Sequence, residues 1–251
     1  MRFSANLGFL WTDRPLPDAI RAAAAAGFDA VECHWPYDTP APDVAAALAE
    51  TGLPMLGLNT RRGAPGENGL SALPGREAEA RAAIDEALSY ATQIGAACVH
   101  VMAGFDTGPE AEAAFLANLR YATKAAAPHG ITILIEPLNH HDAPGYFLTT
   151  TTQAARLIDS LGAANLKLMF DCYHVQIMEG DLTRRLERMR PVIGHVQFAS
   201  VPDRGPPDAG EVNYAHVFAQ IARLGWTAPL GAEYRPLAAT DDSLDWLNRF
   251  R

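Results

Sequence analysis

The sequence predicts an α/β fold, a single-domain (β/α)8 TIM barrel that spans residues 1–251. Short apolar runs alternate about eight times with longer segments of helical character, which is the pattern of parallel βα units. The chain length of 251 residues matches the size that such a barrel typically has. An open doubly wound sheet ranks second, because no glycine-rich phosphate loop follows the first strand.

The predicted strands are short runs rich in branched aliphatic residues, as expected for strands that are buried on both faces of a parallel sheet. The fifth is the clearest, because it reads Ile-Thr-Ile-Leu-Ile and a glutamate and a proline follow at once. The eight strands are predicted at residues 3–9, 30–35, 54–60, 97–102, 131–135, 166–171, 194–200 and 229–234.

Helices are predicted between the strands, and most of them end at a glycine, the residue that most readily terminates a helix. The sixth helix has a break near Gly180. A glycine- and proline-rich loop, residues 61–75, has the length of a lid or of a mobile surface insertion, and both interpretations stay open. The helices are predicted at residues 18–27, 42–52, 76–94, 109–127, 149–161, 175–189, 213–224 and 241–250.

Composition and charge narrow the class of protein. The net charge of −9 argues against a nucleic-acid partner, because phosphate backbones require basic surfaces. No apolar run is long enough to span a bilayer, and the N-terminus lacks the features of a signal peptide. Three widely spaced cysteines indicate neither a zinc site nor a disulfide framework. We therefore expect a cytoplasmic protein that acts on a small-molecule substrate. The protein could form a homo-oligomer.

Four strands carry an oxygen-bearing side chain at or near their C-terminal end. These are Glu136, Asp171, Gln197 and Glu233, and they are 35, 26 and 36 residues apart. A strand, a helix and two loops take about 30 residues, so the spacing predicts one such side chain per βα unit. Barrel enzymes build their active site at this end of the strands.

Three carboxylates at one rim would repel one another unless a cation lies between them. Oxygen ligands favour a hard divalent ion, Mg²⁺ or Mn²⁺, over zinc, which prefers imidazole and thiolate. The sequence therefore predicts a metal site formed by Glu136, Asp171, Gln197 and Glu233. For Gln197, an amide that is merely hydrogen-bonded inside the barrel is the competing interpretation.

Several histidines lie near these strand ends. His174 follows Asp171 by three residues and could donate a hydrogen bond to a substrate oxygen. Of the neighbouring His140 and His141, one could contact substrate, and we name His141 as the candidate. Packing is the preferred interpretation for His34 and His100.

Arginines in the loops could bind an anionic group of the substrate, because a guanidinium matches carboxylate and phosphate geometry. Arg204 lies in the loop after the seventh strand, and Arg61 and Arg62 follow the third. A solvated loop charge is the competing interpretation for each. His195 alternates with Gln197 along the seventh strand, so we expect it deeper in the barrel or behind the metal ligands.

The strand-end segments together resemble the motifs of hydroxypyruvate isomerases, a family of the xylose-isomerase-like barrel superfamily to which tagatose- and allulose-type epimerases also belong. The resemblance covers essentially the whole chain. It rests mainly on Ile135-Glu-Pro-Leu-Asn139, Phe170-Asp-Cys-Tyr-His174, Gly194-His-Val-Gln197 and Glu233-Tyr-Arg-Pro236.

This resemblance implies a divalent metal held by the four predicted ligands, with Glu136 and Glu233 also acting as acid and base. His174 and Arg204 match positions that contact substrate oxygens in the epimerase relatives. The segment Leu58-Asn-Thr-Arg-Arg-Gly63 departs from the motif of the best-known members, which leaves the substrate open.

The expected activity is that of a metal-dependent aldose–ketose isomerase that converts hydroxypyruvate to tartronate semialdehyde through an enediolate. A 2-oxotetronate isomerase and a ketose 3-epimerase are alternatives that would use the same site. More remote alternatives are a metal-dependent phosphodiesterase of the apurinic-site endonuclease type and a non-catalytic sugar-binding barrel, which would not need both glutamates.

Overall fold

The computed structural model describes all 251 residues and confirms the predicted barrel. The strands are β1 (Phe3–Asn6), β2 (Ala30–Glu32), β3 (Gly57–Asn59), β4 (Cys98–His100), β5 (Thr132–Ile135), β6 (Leu166–Asp171), β7 (Ile193–Phe198) and β8 (Leu230–Ala232). They are all parallel, in the order β2-β1-β8-β7-β6-β5-β4-β3. A parallel bridge between Val31 and Met55 brings β2 next to β3 and closes the barrel.

Helices surround the strands, and their bounds agree with the prediction to within a few residues at most positions. They are α1 (Leu16–Ala25), α2 (Ala41–Thr51), α3 (Glu77–Ile94), α4 (Gly108–Ala126), α5 (Thr151–Leu161), α6 (Cys172–Met178), α7 (Leu182–Met189), α8 (Tyr214–Arg223) and α9 (Asp245–Phe250). Gly95 ends α3 with a φ of 68°, a left-handed conformation that glycine adopts without steric cost. No helix is both long and apolar enough to cross a membrane.

The sixth predicted helix is two helices, α6 and α7, separated at Gly180 and Asp181. Helix α6 begins directly after Asp171, whose Oδ1 accepts a hydrogen bond from the Tyr173 backbone N–H at 2.9 Å. A side-chain oxygen at this position satisfies an N–H group that has no partner within the helix. One residue therefore both ends β6 at the barrel rim and caps the helix that follows.

Strand β1 is shorter than predicted because the chain turns out of the sheet at Asn6. The carbonyl of Asn6 accepts from the backbone N–H groups of Phe9 and Leu10, and its side-chain oxygen accepts from the N–H of Gly8. These bonds bend residues 7–10 across the rim of the barrel. As a result, Gly8 and Phe9 lie beside the cavity described below.

The glycine- and proline-rich loop at residues 61–75 packs against the end of β4. Gly69 forms an antiparallel bridge with Ala103, and the Ala72 N–H donates to the Ala103 carbonyl at 2.7 Å. A side chain at position 69 would begin 2.5 Å from the backbone carbonyl of Met102, so only glycine permits this approach. The loop thus forms part of the wall above β3 and β4.

Candidate active site

A cavity of about 290 Å³ opens at the C-terminal ends of the strands. Its lining includes five of the predicted site residues, Glu136, His174, Arg204, Glu233 and Arg62. This is the end at which barrel enzymes place their reactive groups.

The barrel brings the four predicted metal ligands to one rim. Glu136 and Glu233 directly follow β5 and β8, and Asp171 is the last residue of β6. Gln197 pairs with Asp171 on one side and with Gly231 on the other in the strand register. One ligand atom each from Glu136, Asp171, His174 and Glu233 lies within 4.8 Å of the others.

Three of the four predicted ligands have a buried oxygen without a hydrogen-bond partner: Glu136 Oε1, Asp171 Oδ2 and Gln197 Oε1. A buried acceptor that lacks a partner is costly, and such atoms are rare in native proteins. The oxygens belong to the ligand types that a hard divalent cation prefers. The site therefore fits Mg²⁺ or Mn²⁺.

His174 belongs to the same cluster, but its geometry is that of a hydrogen-bond donor. The backbone N–H of Asn139 donates to His174 Nδ1 at 3.0 Å, so the ring proton lies on Nε2. Nε2 lies 3.6 Å from Asp171 Oδ2 and 3.9 Å from Glu136 Oε1. Burial, aided by Arg204, lowers the pKa of His174 to about 3, which keeps the ring neutral. A proton on Nε2 disfavours cation binding by this nitrogen and leaves it free to donate.

The environments of the two glutamates shift their pKa values in opposite directions. Burial and the nearby carboxylates of Glu233 and Asp171 raise the pKa of Glu136 well above its usual range. Burial would also raise the pKa of Glu233, but the charge of Arg204 and the hydrogen bond from His34 outweigh it and lower this pKa. Burial and Glu233 raise the pKa of Asp171 to about 8. A bound cation would favour the ionised form of all three.

Arg204 is a buried member of the site rather than a solvated loop charge. Its Nη2 donates to Glu233 Oε2 at 2.5 Å, and its Nη1 donates to Asp142 Oδ2 at 3.2 Å. The guanidinium lies between the rings of Phe9 and Tyr173, at 4.7 and 4.9 Å from their centroids. The backbone φ of 54° at Arg204 is unusual for a residue with a side chain.

The other three predicted substrate contacts lie in different places. Arg62 lines the cavity, where its guanidinium stacks 4.7 Å above the ring of Trp35. Arg61 is exposed and makes two hydrogen bonds to Glu86, at 2.7 and 3.0 Å. His141 is exposed beside His140 and does not line the cavity.

The interpretation of His34 and His100 as packing residues is wrong, because both line the cavity. His34 Nε2 lies 2.9 Å from Glu233 Oε1, and His100 Nδ1 lies 3.6 Å from Glu136 Oε2. Gly8 leaves room for the His34 ring, since a side chain there would begin 2.2 Å from that ring. The positions of His34 and His100 in the sequence could have identified them as site residues, because each histidine lies near the end of a predicted strand, as the predicted ligands do.

Asn6 and Glu32 were also missed, although each is the last residue of its strand. Asn6 Nδ2 donates both to Glu233 Oε1 at 3.0 Å and to Glu32 Oε1 at 3.1 Å. His195, expected deeper in the barrel, is buried with its Nε2 2.7 Å from Glu32 Oε2. Glu32 also accepts from Gln197 Nε2 at 2.7 Å, so these polar residues connect two of the predicted ligands, Glu233 and Gln197.

The family model described as xylose isomerase-like TIM barrel matches residues 20–250. The chain is 45% identical to the 2-oxo-tetronate isomerase of Cupriavidus necator, with 99% of this chain and 98% of that protein covered. It is 38% identical to the hydroxypyruvate isomerase of Escherichia coli K12 over the full length of both. Among solved structures, the AP endonuclease, family 2, of Brucella melitensis superposes with a TM-score of 0.96 at 41% identity, covering 100% and 99% of the two chains.

Similarity of this extent over the full length shows common descent as well as a common fold. The two named relatives are isomerases, which agrees with the enzyme class predicted from the motifs. The chain therefore belongs to the xylose isomerase-like TIM barrel family and, within it, to the group of the hydroxypyruvate and 2-oxo-tetronate isomerases.

Proposed function

We propose that this protein is a metal-dependent aldose–ketose isomerase that acts on a small 2-oxo acid, with hydroxypyruvate as the first candidate. The observation that carries the proposal is the meeting of Glu136 and Glu233 in one buried cluster with Asp171. Two glutamates in contrasting environments at one cavity are the groups that a proton transfer between neighbouring carbons requires.

The cation would be Mg²⁺ or Mn²⁺, held by Glu136, Asp171, Gln197 and Glu233. When bound, it would polarise the substrate oxygens and stabilise the negative charge that develops on them. The support from this chain is the set of partnerless buried oxygens on three of these four residues.

In the proposed reaction, one glutamate removes a proton from the carbon next to the carbonyl, and an enediolate forms. The same or the opposing glutamate then returns the proton to the former carbonyl carbon, and a second proton moves from the hydroxyl oxygen to the former carbonyl oxygen, so that the carbonyl and the hydroxyl group exchange positions. Glu233 suits the first step, because Arg204, His34 and Asn6 all donate to its carboxylate and hold it ionised. The Nε2 proton of His174 would be donated to a substrate oxygen.

The carboxylate of the substrate requires a cationic partner at the mouth of the cavity. Arg204 is already engaged by Glu233 and Asp142, and Arg61 by Glu86. Arg62 lines the cavity, and the only hydrogen bond of its guanidinium runs from Nε to the neutral side chain of Asn68, at 3.1 Å. We therefore assign the substrate carboxylate to Arg62.

Substrate profiling tests the proposed function. We expect turnover of hydroxypyruvate or of a 2-oxotetronate, with little turnover of ketoses that lack a carboxylate. The assay follows product formation across a panel of hydroxypyruvate, 2-oxotetronates and ketoses. Equal or faster turnover of uncharged ketoses would instead indicate a 3-epimerase.

Metal dependence is the second expectation. Dialysis against a chelator should abolish turnover, because the acid–base groups would no longer share a cation with the substrate oxygens, and Mn²⁺ or Mg²⁺ should restore it. Zn²⁺ serves as a comparison ion, since an all-oxygen site disfavours it. Full activity after exhaustive chelation would contradict the proposed metal site.

The replacement Arg62→Met should raise KM for the acid substrate by about 10- to 100-fold, since a charge-assisted hydrogen-bonded contact contributes about 1.5–3 kcal/mol. Arg61→Met is the matched control, because Arg61 is the adjacent residue and its side chain binds Glu86 outside the cavity. Steady-state kinetics of both variants decide the assignment. An increase in KM for Arg61→Met alone would show that Arg61, and not Arg62, binds the substrate carboxylate.

A phosphodiesterase is the second candidate, because the similar structure from Brucella melitensis bears the name AP endonuclease. The net charge of −9 disfavours binding to DNA, and Arg204, a buried cation of the site, is bound to carboxylates. Incubation with an abasic-site duplex under the metal conditions of the isomerase assay should leave the strand intact. Metal-dependent incision, together with inactivity on the acid panel, would favour the second candidate.

A further inference from the structure

We propose that Glu32, together with Asn6 and His195, is a positioning residue that fixes the side-chain orientation of Gln197 at the cation site. These three residues, here called the floor cluster, line the interior of the barrel together with Gln197. All three are buried, and Glu32 is only 4% exposed. The inference rests on the proposed cation site and assigns a role to residues that would not touch the cation.

The contact between Glu32 and Gln197 determines which end of the amide is available. Gln197 Nε2 donates to Glu32 Oε1 at 2.7 Å, a contact that only the amide nitrogen can make to a carboxylate. The amide oxygen is then directed away from Glu32, and it is one of the three buried ligand oxygens without a partner. Without Glu32, the amide could turn and present its NH₂ group, which cannot bind a cation.

Glu32 is itself held from two further directions. His195 Nε2 lies 2.7 Å from its Oε2, and Asn6 Nδ2 donates to its Oε1 at 3.1 Å. The same Asn6 nitrogen donates to Glu233 Oε1 at 3.0 Å, and the Asn6 oxygen is fixed by the Gly8 N–H. The floor cluster therefore connects Gln197 to a second predicted ligand, Glu233.

Two features of the sequence fit this arrangement. A side chain at Gly231 would begin 2.5 Å from Glu32 Oε1 and 2.8 Å from Gln197 Cγ, so glycine keeps the contact open. A carboxylate at position 197 would face Glu32 at hydrogen-bond distance, and two like charges there would repel strongly. An amide at position 197 supplies both a ligand oxygen and a donor to Glu32.

The test measures Mn²⁺ binding to the full chain by the electron paramagnetic resonance signal of free Mn²⁺, without substrate. Glu32→Ala should weaken Mn²⁺ affinity by about 10- to 100-fold, the usual effect of removing a group that orients a metal ligand. Glu32→Gln should stay close to wild type, because its oxygen can accept from Gln197 and Asn6 while its nitrogen faces His195. Unchanged affinity in Glu32→Ala would overturn the inference.

Glu187→Ala is the matched control, because Glu187 accepts from Gln220 Nε2 at 2.7 Å in a second Gln–Glu contact outside the cavity. It should leave Mn²⁺ affinity unchanged. A purely structural role of Glu32 would lower the thermal stability of Glu32→Ala without weakening Mn²⁺ binding, which would also overturn the inference. A wild-type chain that binds no Mn²⁺ would overturn both the inference and the proposed metal site.

A charge exchange keeps the test decisive if Glu32→Ala does not fold. Gln197→Glu adds a negative ligand, yet it should weaken Mn²⁺ binding because the new carboxylate faces Glu32. The double variant Glu32→Gln/Gln197→Glu should regain part of that affinity, since the amide at position 32 can then donate to the carboxylate at position 197, although its nitrogen would replace the oxygen that accepts from Asn6. Tighter binding by Gln197→Glu alone would show that Glu32 does not constrain position 197.

Discussion

Replacing Glu233 with glutamine is expected to lower kcat by at least about 100-fold, the lower limit for losing a general acid–base group. The amide keeps the size of the side chain but cannot accept a proton from carbon. Glu136→Gln should have an effect of similar size when the opposing glutamate returns the proton, because each glutamate then serves one side of the enediolate; a much smaller effect of Glu136→Gln would indicate that Glu233 carries out both transfers. Stopped assays with saturating Mn²⁺ and substrate measure both variants.

The contacts of Glu233 make this prediction specific. Its carboxylate receives hydrogen bonds from Arg204 and Asn6 and lies 2.9 Å from His34, so its replacement disturbs an ordered set of donors. Glu179→Gln is a suitable control, because Glu179 is a carboxylate bound to Arg185 at 2.7 Å outside the cavity. Its rate should match that of the wild type.

Binding measurements separate catalysis from a sugar-binding role. Both glutamine variants should still bind the substrate, measured by calorimetry in the presence of Mn²⁺, because a glutamine oxygen can remain a metal ligand. If both keep wild-type turnover, the two glutamates are not the acid and base. A barrel that binds substrate without any turnover in the wild type would be a sensor rather than an enzyme.

Replacing Arg204 with methionine is expected to reduce the free energy of unfolding by about 3–5 kcal/mol in the presence of a chelator. Methionine fills a similar volume but leaves Glu233, Asp142 and Asp171 without their shared cation. Burial makes the charges of Glu233 and Asp171 costly, because little solvent is available to compensate for the lost contact. Urea unfolding followed by circular dichroism measures the difference from wild type.

Arg61→Met is the control for this prediction as well, since it removes an arginine that also makes two hydrogen bonds to a glutamate, but an exposed one. Surface ion pairs contribute about 0–1 kcal/mol, so the loss should be small. Addition of Mn²⁺ should return part of the lost stability to Arg204→Met, because a cation would again compensate the carboxylates. Equal losses for the two variants would show that Arg204 does not stabilise the site.

The barrel and the positions of its strongest site residues follow from local patterns. Glu136, Asp171 and Glu233 each come at the end of an apolar run, and parallel strands direct their C-terminal ends to one rim. Convergence of these carboxylates therefore does not depend on how the loops pack. The same reasoning places Gln197 at the rim, because its strand aligns with β6 and β8.

The histidines at the strand ends were misjudged because a single histidine gives no sign of its partner. His34 reaches Glu233 only because the closed barrel brings β2 and β8 to either side of β1. Asn6 and Glu233 are in contact for the same reason, although 227 residues separate them. No local spacing encodes such a pair.

Arg61 and Arg62 also show that local sequence does not reveal the partner of a side chain, even for two adjacent residues. The sequence presents them as equivalent candidates, but one binds Glu86 on the surface and the other lines the cavity over Trp35. Backbone bonds in the loop decide the difference, including the one from the Gly69 N–H to the Arg62 carbonyl. His141, equally plausible by position, is directed to solvent.

By itself the sequence determined the alternation of strands and helices, and with it the rim at which the carboxylates of Glu136, Asp171 and Glu233 meet. The reason is that side-chain period and strand direction are local properties of the chain. Only the tertiary structure decided which polar groups surround those carboxylates, namely His34, Asn6 and the buried Arg204. These contacts join distant segments, so they exist only once the barrel has closed.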